Sequence, residues 1–98
     1  MYELTDVVVS RTLEAVHPDG SRTEVQISIG RPFPDPLPGG DWCCTFRITG
    51  LGDDTVRAAF GVDSMQALLL ALVKVRLELS GSVRLEWLGG SDLNLDPR

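Results

Sequence analysis

The residues able to do chemistry in this chain are few, and their spacing does not suit it. His17 is the only histidine among the 98 residues. It stands in His17-Pro18-Asp19-Gly20, a turn sequence, whereas a general base must sit in a cleft beside the proton it takes. Ser-His-Asp and Cys-His schemes would both depend on that one turn residue. Cys43 and Cys44 are adjacent. On a strand, neighbouring side chains point to opposite faces, and a bridge between them would be strained. Adjacent cysteines give no zinc spacing, and no cationic neighbour in sequence activates either one. Free thiols in a reducing compartment are expected.

Two further motifs stop short. Gly50-Leu51-Gly52 resembles a phosphate loop only faintly. The third glycine is missing, no helix is expected to begin there, and Asp53 and Asp54 would repel phosphate. Asp92-Leu93-Asn94-Leu95-Asp96 opens like a calcium loop, but Pro97 takes the place of the required glycine. The acids of both segments read as solvated turn residues. No catalytic residue, metal ligand or cofactor site is assigned.

Composition narrows the field further. Nine basic and fourteen acidic residues give a net charge of −5 and a pI near 4.6. Broad binding to nucleic acid or anionic lipid needs a basic footprint, so both are excluded. A basic protein partner is compatible. The N-terminus, MYELTDVVVS, lacks the basic and long apolar regions of a signal peptide, so a cytoplasmic location is expected. At this length, residues 1–98 form a single domain with one two-layer core.

The elements that must position everything follow from pattern. Residues 3–16 hold a valine triplet, Val7 to Val9, that favours a strand but fits either face. If Val7 and Val9 point inward, so does Arg11, which should then lie near an edge. After the His17–Gly20 turn, Thr23, Val25, Ile27 and Ile29 alternate with Arg22, Glu24, Gln26 and Ser28. A long hairpin is predicted, buried on one side only. Residues 31–40, RPFPDPLPGG, carry four of the six prolines. They should be extended and stiff, with Phe33 and Leu37 plugging one end of the core. Residues 41–49 form a third strand. Residues 55–62 form a fourth, burying Val56, Ala58, Phe60 and Val62. Residues 82–88 form a short fifth, with Val83, Leu85 and Trp87 on one side. Joined to the fourth by a helix, it should run parallel to it if both share a sheet. It either pairs there or lies antiparallel beside the first strand.

That helix, in residues 62–81, is the long apolar segment with a clear start and stop. Asp63 is a natural N-cap, and Gln66 completes a capping box. Gly81 is expected in the left-handed position after the last turn. At 100° per residue, Met65, Leu68, Leu72, Val75 and Leu79 make one broad stripe, with Leu69 and Val73 at its edge. The stripe is predicted to face the sheet. Leu70 and Leu77 fall on the opposite side, beside Gln66, Ala67, Lys74 and Glu78. That side is covered by the tail or the proline-rich segment, by a second subunit, or by nothing. A membrane span is excluded by length and by Lys74, Arg76 and Glu78. The fold class is therefore α+β: a four- to five-stranded, mainly antiparallel sheet with one long helix packed on one face.

Gly61-Val62-Asp63-Ser64, Gln66-Ala67-Leu68 and Leu70-Ala71-Leu72 follow Trp42-Cys43-Cys44-Thr45-Phe46-Arg47-Ile48 and precede Trp87. Over residues 31–88 this pattern resembles a group of short bacterial proteins known as a domain of unknown function. The shared residues are core and cap positions, so the resemblance implies a fold and transfers no catalytic residue. By analogy alone, some small acidic bacterial proteins of comparable layout are immunity proteins.

The expected function is a non-catalytic binding or interaction module, either immunity-type or homodimeric, with a protein partner or a second copy. Its candidate surface is Leu70, Lys74 and Leu77 on the helix, with Phe33 and Leu37 from the proline-rich segment. The alternative is a small-ligand protein or enzyme whose site is assembled near that segment, Trp42 and the tail.

Overall fold

The structure is a computed structural model that describes residues 2–36, 41–81, 84–93 and 95. In chain order the elements are β1 (Val7–Val16), β2 (Arg22–Gly30), β3 (Phe33–Pro34), β4 (Trp42–Thr49), β5 (Arg57–Gly61), α1 (Ser64–Ser80) and β6 (Arg84–Glu86). The sheet has one more strand than the upper expectation, because Phe33 and Pro34 pair with Cys43 and Trp42. Proline is tolerated in so short a pairing, and Asp35 N–H donating to the Asp41 carbonyl at 2.7 Å continues it.

The β1–β2 hairpin closes as its turn residues require. Gly20 takes φ +87°, and its N–H donates to the His17 carbonyl. The Asp19 carboxylate accepts from the Ser21 hydroxyl and N–H, and these bonds hold its pKa below the usual range. The His17 ring bonds the Thr23 hydroxyl at 2.7 Å, inside the same hairpin.

β4 is paired along both edges. One edge carries β2 and then β3, and the other carries β5. β1 lies outside β2, and β6 pairs antiparallel with β1 through Glu14, Ala15 and Val16. The spatial order is β6-β1-β2-β4-β5, with every neighbour antiparallel. β5 and β6 thus run parallel at opposite edges, and α1 carries the chain between them. Of the two placements open for the last strand, the structure takes the one beside β1.

The core lies between the sheet's inner face and α1. Leu13, Ala15, Val25, Ile27, Ile29, Cys44, Phe46, Ile48 and Ala59 line the sheet side. α1 sits over β4 and β5. Trp87, Leu93 and Leu95 of the tail pack against the same core. Arg11 points inward, opposite Ile27, at a level where β6 no longer pairs with β1. Its guanidinium stacks 4.0 Å from the Trp87 ring and donates to the Leu93 carbonyl at 2.6 Å, which fastens the tail.

Several expectations change in three dimensions. The ambiguous valines contain a β-bulge: Val7 opposes Gly30 and Val9 opposes Ile29, leaving Val8 extra. β5 turns over relative to the predicted register. Ala59 and Gly61 are buried against the helix side, while Phe60 and Val62 are exposed. A Cβ on Gly61 would lie 2.5 Å from the Ala67 nitrogen, so helix and strand meet where side chains are smallest.

The sheet is also not buried on one side only. Cys43 and Thr45 point to the outer face and are fully buried. Residues 2–6 strap across them. The Thr5 N–H donates to Thr45 Oγ1 at 3.2 Å, and the Tyr2 ring meets Phe60 edge-on at 5.9 Å. Gly30 makes room, because a Cβ there would come within 2.2 Å of Thr5 Oγ1. Phe33, opposite Cys43, joins this outer cluster instead of plugging the core. Leu37 and Val83 lie outside the described residues. Further along the outer face, buried Glu86 accepts from Arg22 at 3.0 Å and Arg84 at 2.6 Å, and both lower its pKa.

Candidate interaction surface

α1 begins as its sequence dictates. The Gln66 N–H donates to Asp63 Oδ1 at 2.7 Å. The Gln66 side chain accepts from the Val62 N–H, one residue further back than a capping box normally reaches. Its end differs from expectation. Gly81 has φ −96°, outside the left-handed region, and Ser80 Oγ donates to the Leu77 carbonyl at 2.9 Å.

The buried stripe of α1 is Ala67, Ala71, Val75 and Leu79, rotated away from the predicted one. Val75 and Leu79 belong to both. Leu68 and Leu72 are only half-buried, and Met65 is exposed. Ala67, placed by hydrophobic size on the solvent side, is fully buried. The reason is the distance of approach. Gly61 and Ala59 present almost no side chain, so only alanine fits opposite them, and the larger residues are displaced outward.

The outward side is consequently apolar over most of its width. Val62, Met65, Leu69, Leu70, Val73 and Leu77 are between 39% and 74% exposed. Leu70 and Leu77 lie there as predicted, and neither the described part of the tail nor that of the proline-rich segment covers them. Lys74 lies beside them, and its Nζ donates to the Ala58 carbonyl at 2.9 Å on the free edge of β5. Arg57 pairs with Glu78 on the helix and with Asp53 at 2.8 Å in the preceding loop. Phe33 sits on the other face of the sheet, so the structure does not gather it with the three helix residues. Met65, Leu69, Val73 and Val62 belong to this surface, whereas periodicity places the first three in or beside the inward stripe and Val62 on the buried side of the fourth strand. The missing signal was the small-residue stripe opposite them.

A second apolar feature runs along the helix flank. A groove of about 290 Å³ lies between Leu68 and Leu72 on α1 and Val8, Val9 and Ile29 on the sheet, with Leu95 of the tail on its wall. Leu95 is therefore on the inner side and Phe33 on the outer, so the described residues of tail and proline-rich segment do not converge on one site.

The chemistry-bearing residues are engaged structurally. Both cysteines are free and buried, and desolvation raises both thiols, Cys44 to about 11. Gly50 and Gly52 take φ +99° and +107° in the turn after β4. Asp54 accepts from the Gly50 N–H, and Asp53 accepts from Thr55 and Arg57. No group of three or more His, Cys, Asp or Glu among the described residues could hold a metal ion. Among the described residues, no helix is long and apolar enough to cross a membrane.

Residues 9–96 match the family described as domain of unknown function DUF6968, and the chain belongs to it. The match reaches well beyond the stretch whose pattern suggested such a family. No curated protein and no solved structure matches the chain.

Proposed function

We propose that this DUF6968 protein is a non-catalytic binding module of the cytoplasm whose contact surface is the outer face of α1. The exposed run of Val62, Met65, Leu69, Leu70, Val73 and Leu77 supports this reading. A large exposed apolar patch on a helix marks a contact. The sheet accounts for one side of the helix only. The acidic balance of −5 suits a basic partner of the immunity type as well as a soluble homodimer. The buried free thiols suit a reducing compartment.

The test compares the wild-type chain with the double variant Leu69→Glu/Leu77→Glu, both checked for folding by circular dichroism. The wild type should self-associate in sedimentation or retain a polypeptide from lysate, and the folded variant should do neither. A monomeric wild type that retains nothing the variant loses would overturn the reading.

The groove beside Leu68 and Leu72 favours a second reading, a binder of small apolar molecules. Thermal shift with medium-chain aliphatic acids, repeated on Leu72→Trp to fill the groove, separates the two. A wild-type shift abolished in that variant favours the ligand.

A further inference from the structure

We infer that the groove on the flank of α1 takes a free aliphatic carboxylate, its chain lying along the helix and its carboxylate held by Arg11. This rests on the reading of the groove as a small-molecule site and names the class of molecule. The groove is apolar along its length. Leu68, Leu72 and Val75 form its helix wall, with Ile27 and Ile29 on the sheet side. Leu68 and Val75 are seven residues apart, about 10 Å along the helix axis. Its volume of about 290 Å³ lies at the lower limit of drug-sized sites, roughly 300–1,000 Å³, which suits one short chain.

Strand register sets its direction. Val9 pairs with Ile29 and Arg11 with Ile27, so Arg11 stands one inward step further along β1. Gly61 lies under Ala67, and Arg57 pairs with Glu78, so α1 runs the same way, from the Val9 level towards Arg11. Arg11 also bonds the tail at Leu93, two residues before the Leu95 that forms part of the wall. One end of the groove is therefore charged, and Arg11 is the one charged residue among those lining it.

That charge has no counter-charge among the described residues. Arg22, Arg31, Arg57 and Arg84 each meet a carboxylate, and Arg11 meets none of those described. It is half-buried, and a cation drawn partly out of water gains most from an anion that also accepts its hydrogen bonds. Among the described residues its one hydrogen bond runs from Nη1 to the Leu93 carbonyl, so the Nε and Nη2 donors are still to be used. The Trp87 ring supports the guanidinium from one face and leaves that in-plane fork open. A carboxylate matches the fork, and an alcohol or an amine does not. Carried on an aliphatic chain, it completes both parts of the groove. The net charge of −5 opposes docking on an anionic membrane, so the acid is taken as a free molecule.

Calorimetric titration of the full chain with octanoate, octan-1-ol and octylamine at neutral pH tests this. Octanoate should bind about tenfold more tightly than octan-1-ol, the gain expected of one charge-assisted pair. Octylamine, which sets cation against cation, should bind most weakly. Leu72→Trp, folded by circular dichroism, should lose octanoate and octan-1-ol alike. Arg11→Gln should bring octanoate down to the level of octan-1-ol, and Arg11→Lys, which keeps the charge, should restore part of the preference. Because Arg11 also fastens the tail, the comparison of octanoate with octan-1-ol on the wild type decides the matter if Arg11→Gln does not fold. Equal affinity for the two, lost in Leu72→Trp, would overturn the carboxylate and leave the small-molecule reading standing. A preference for octanoate that survives in folded Arg11→Gln would overturn the role of Arg11. If neither ligand binds, or if binding is unchanged in Leu72→Trp, the inference and the small-molecule reading fall together.

Discussion

The two sides of α1 invert the usual relation between side-chain size and burial. The inner side holds Ala67 and Ala71 fully buried, and the outer side holds Met65, Leu69 and Leu77 more than half exposed. A helix that needed only to cover a sheet would place its leucines inward. Here the strand beneath includes Ala59 and Gly61, and the helix comes so close at Gly61 that alanine stands opposite it at Ala67, while Val75 and Leu79 are buried further along. The large residues are then free to face outward, where the sheet gives them no purpose. The difference separates residues that set the distance between layers from residues kept for something outside the layers.

Four substitutions would break or sharpen that contrast. The largest effect is expected at the inner end. Leu79→Ala should cost about 2–5 kcal/mol in urea unfolding, because it empties a buried site. Ala71→Leu should cost about 1–3 kcal/mol by overpacking the close contact. A neutral result there would mean the helix can lift away, and small size would no longer explain the inner stripe. Leu72→Ala, at the half-buried flank, should cost about 1–2 kcal/mol, less than full burial would imply. Leu77→Glu should change the stability of the folded monomer by no more than about 0.5 kcal/mol. Its effect should appear instead in sedimentation at raised protein concentration. A large loss of stability in dilute solution would place Leu77 in the core after all.

Much of this fold was legible in residue pattern. β2 follows its alternation, the His17–Gly20 turn closes the first hairpin, and Asp63 and Gln66 begin the helix where they should. What was not legible depended on distant residues. Hydrophobic periodicity weights a leucine above an alanine, so it aimed α1 by its largest residues and could not see Gly61 beneath Ala67. The register of β5 failed for the same reason. Val56, Ala58, Phe60 and Val62 alternate well, but the chain buries the smaller Ala59 and Gly61 and gives Phe60 to Tyr2 on the far face. The cover over Cys43 and Thr45 was not legible, because nothing local announces that residues 2–6 return across them. The bulge at Val8 was hidden in a triplet whose members are alike. Of the candidate surface, Leu70, Lys74 and Leu77 were found because they share one short arc of helix. Phe33 was grouped with them through composition, and the pairing of β3 with β4 separates it.

The placement of β6 has a consequence for how the molecule opens. Three residues near the end of the chain pair with β1 near its beginning, across roughly seventy intervening positions. Loop closure over that span must be offset by only a short ladder, the Arg22–Glu86–Arg84 contacts and the Arg11 fastening of the tail. Such a seam should open without global unfolding. In native-state hydrogen exchange, the β6 amides that bond to β1 should lose protection well before those of Ile27 and Phe46. The molecule would then breathe from its β6 edge, leaving the β2–β4 centre and the helix above it closed.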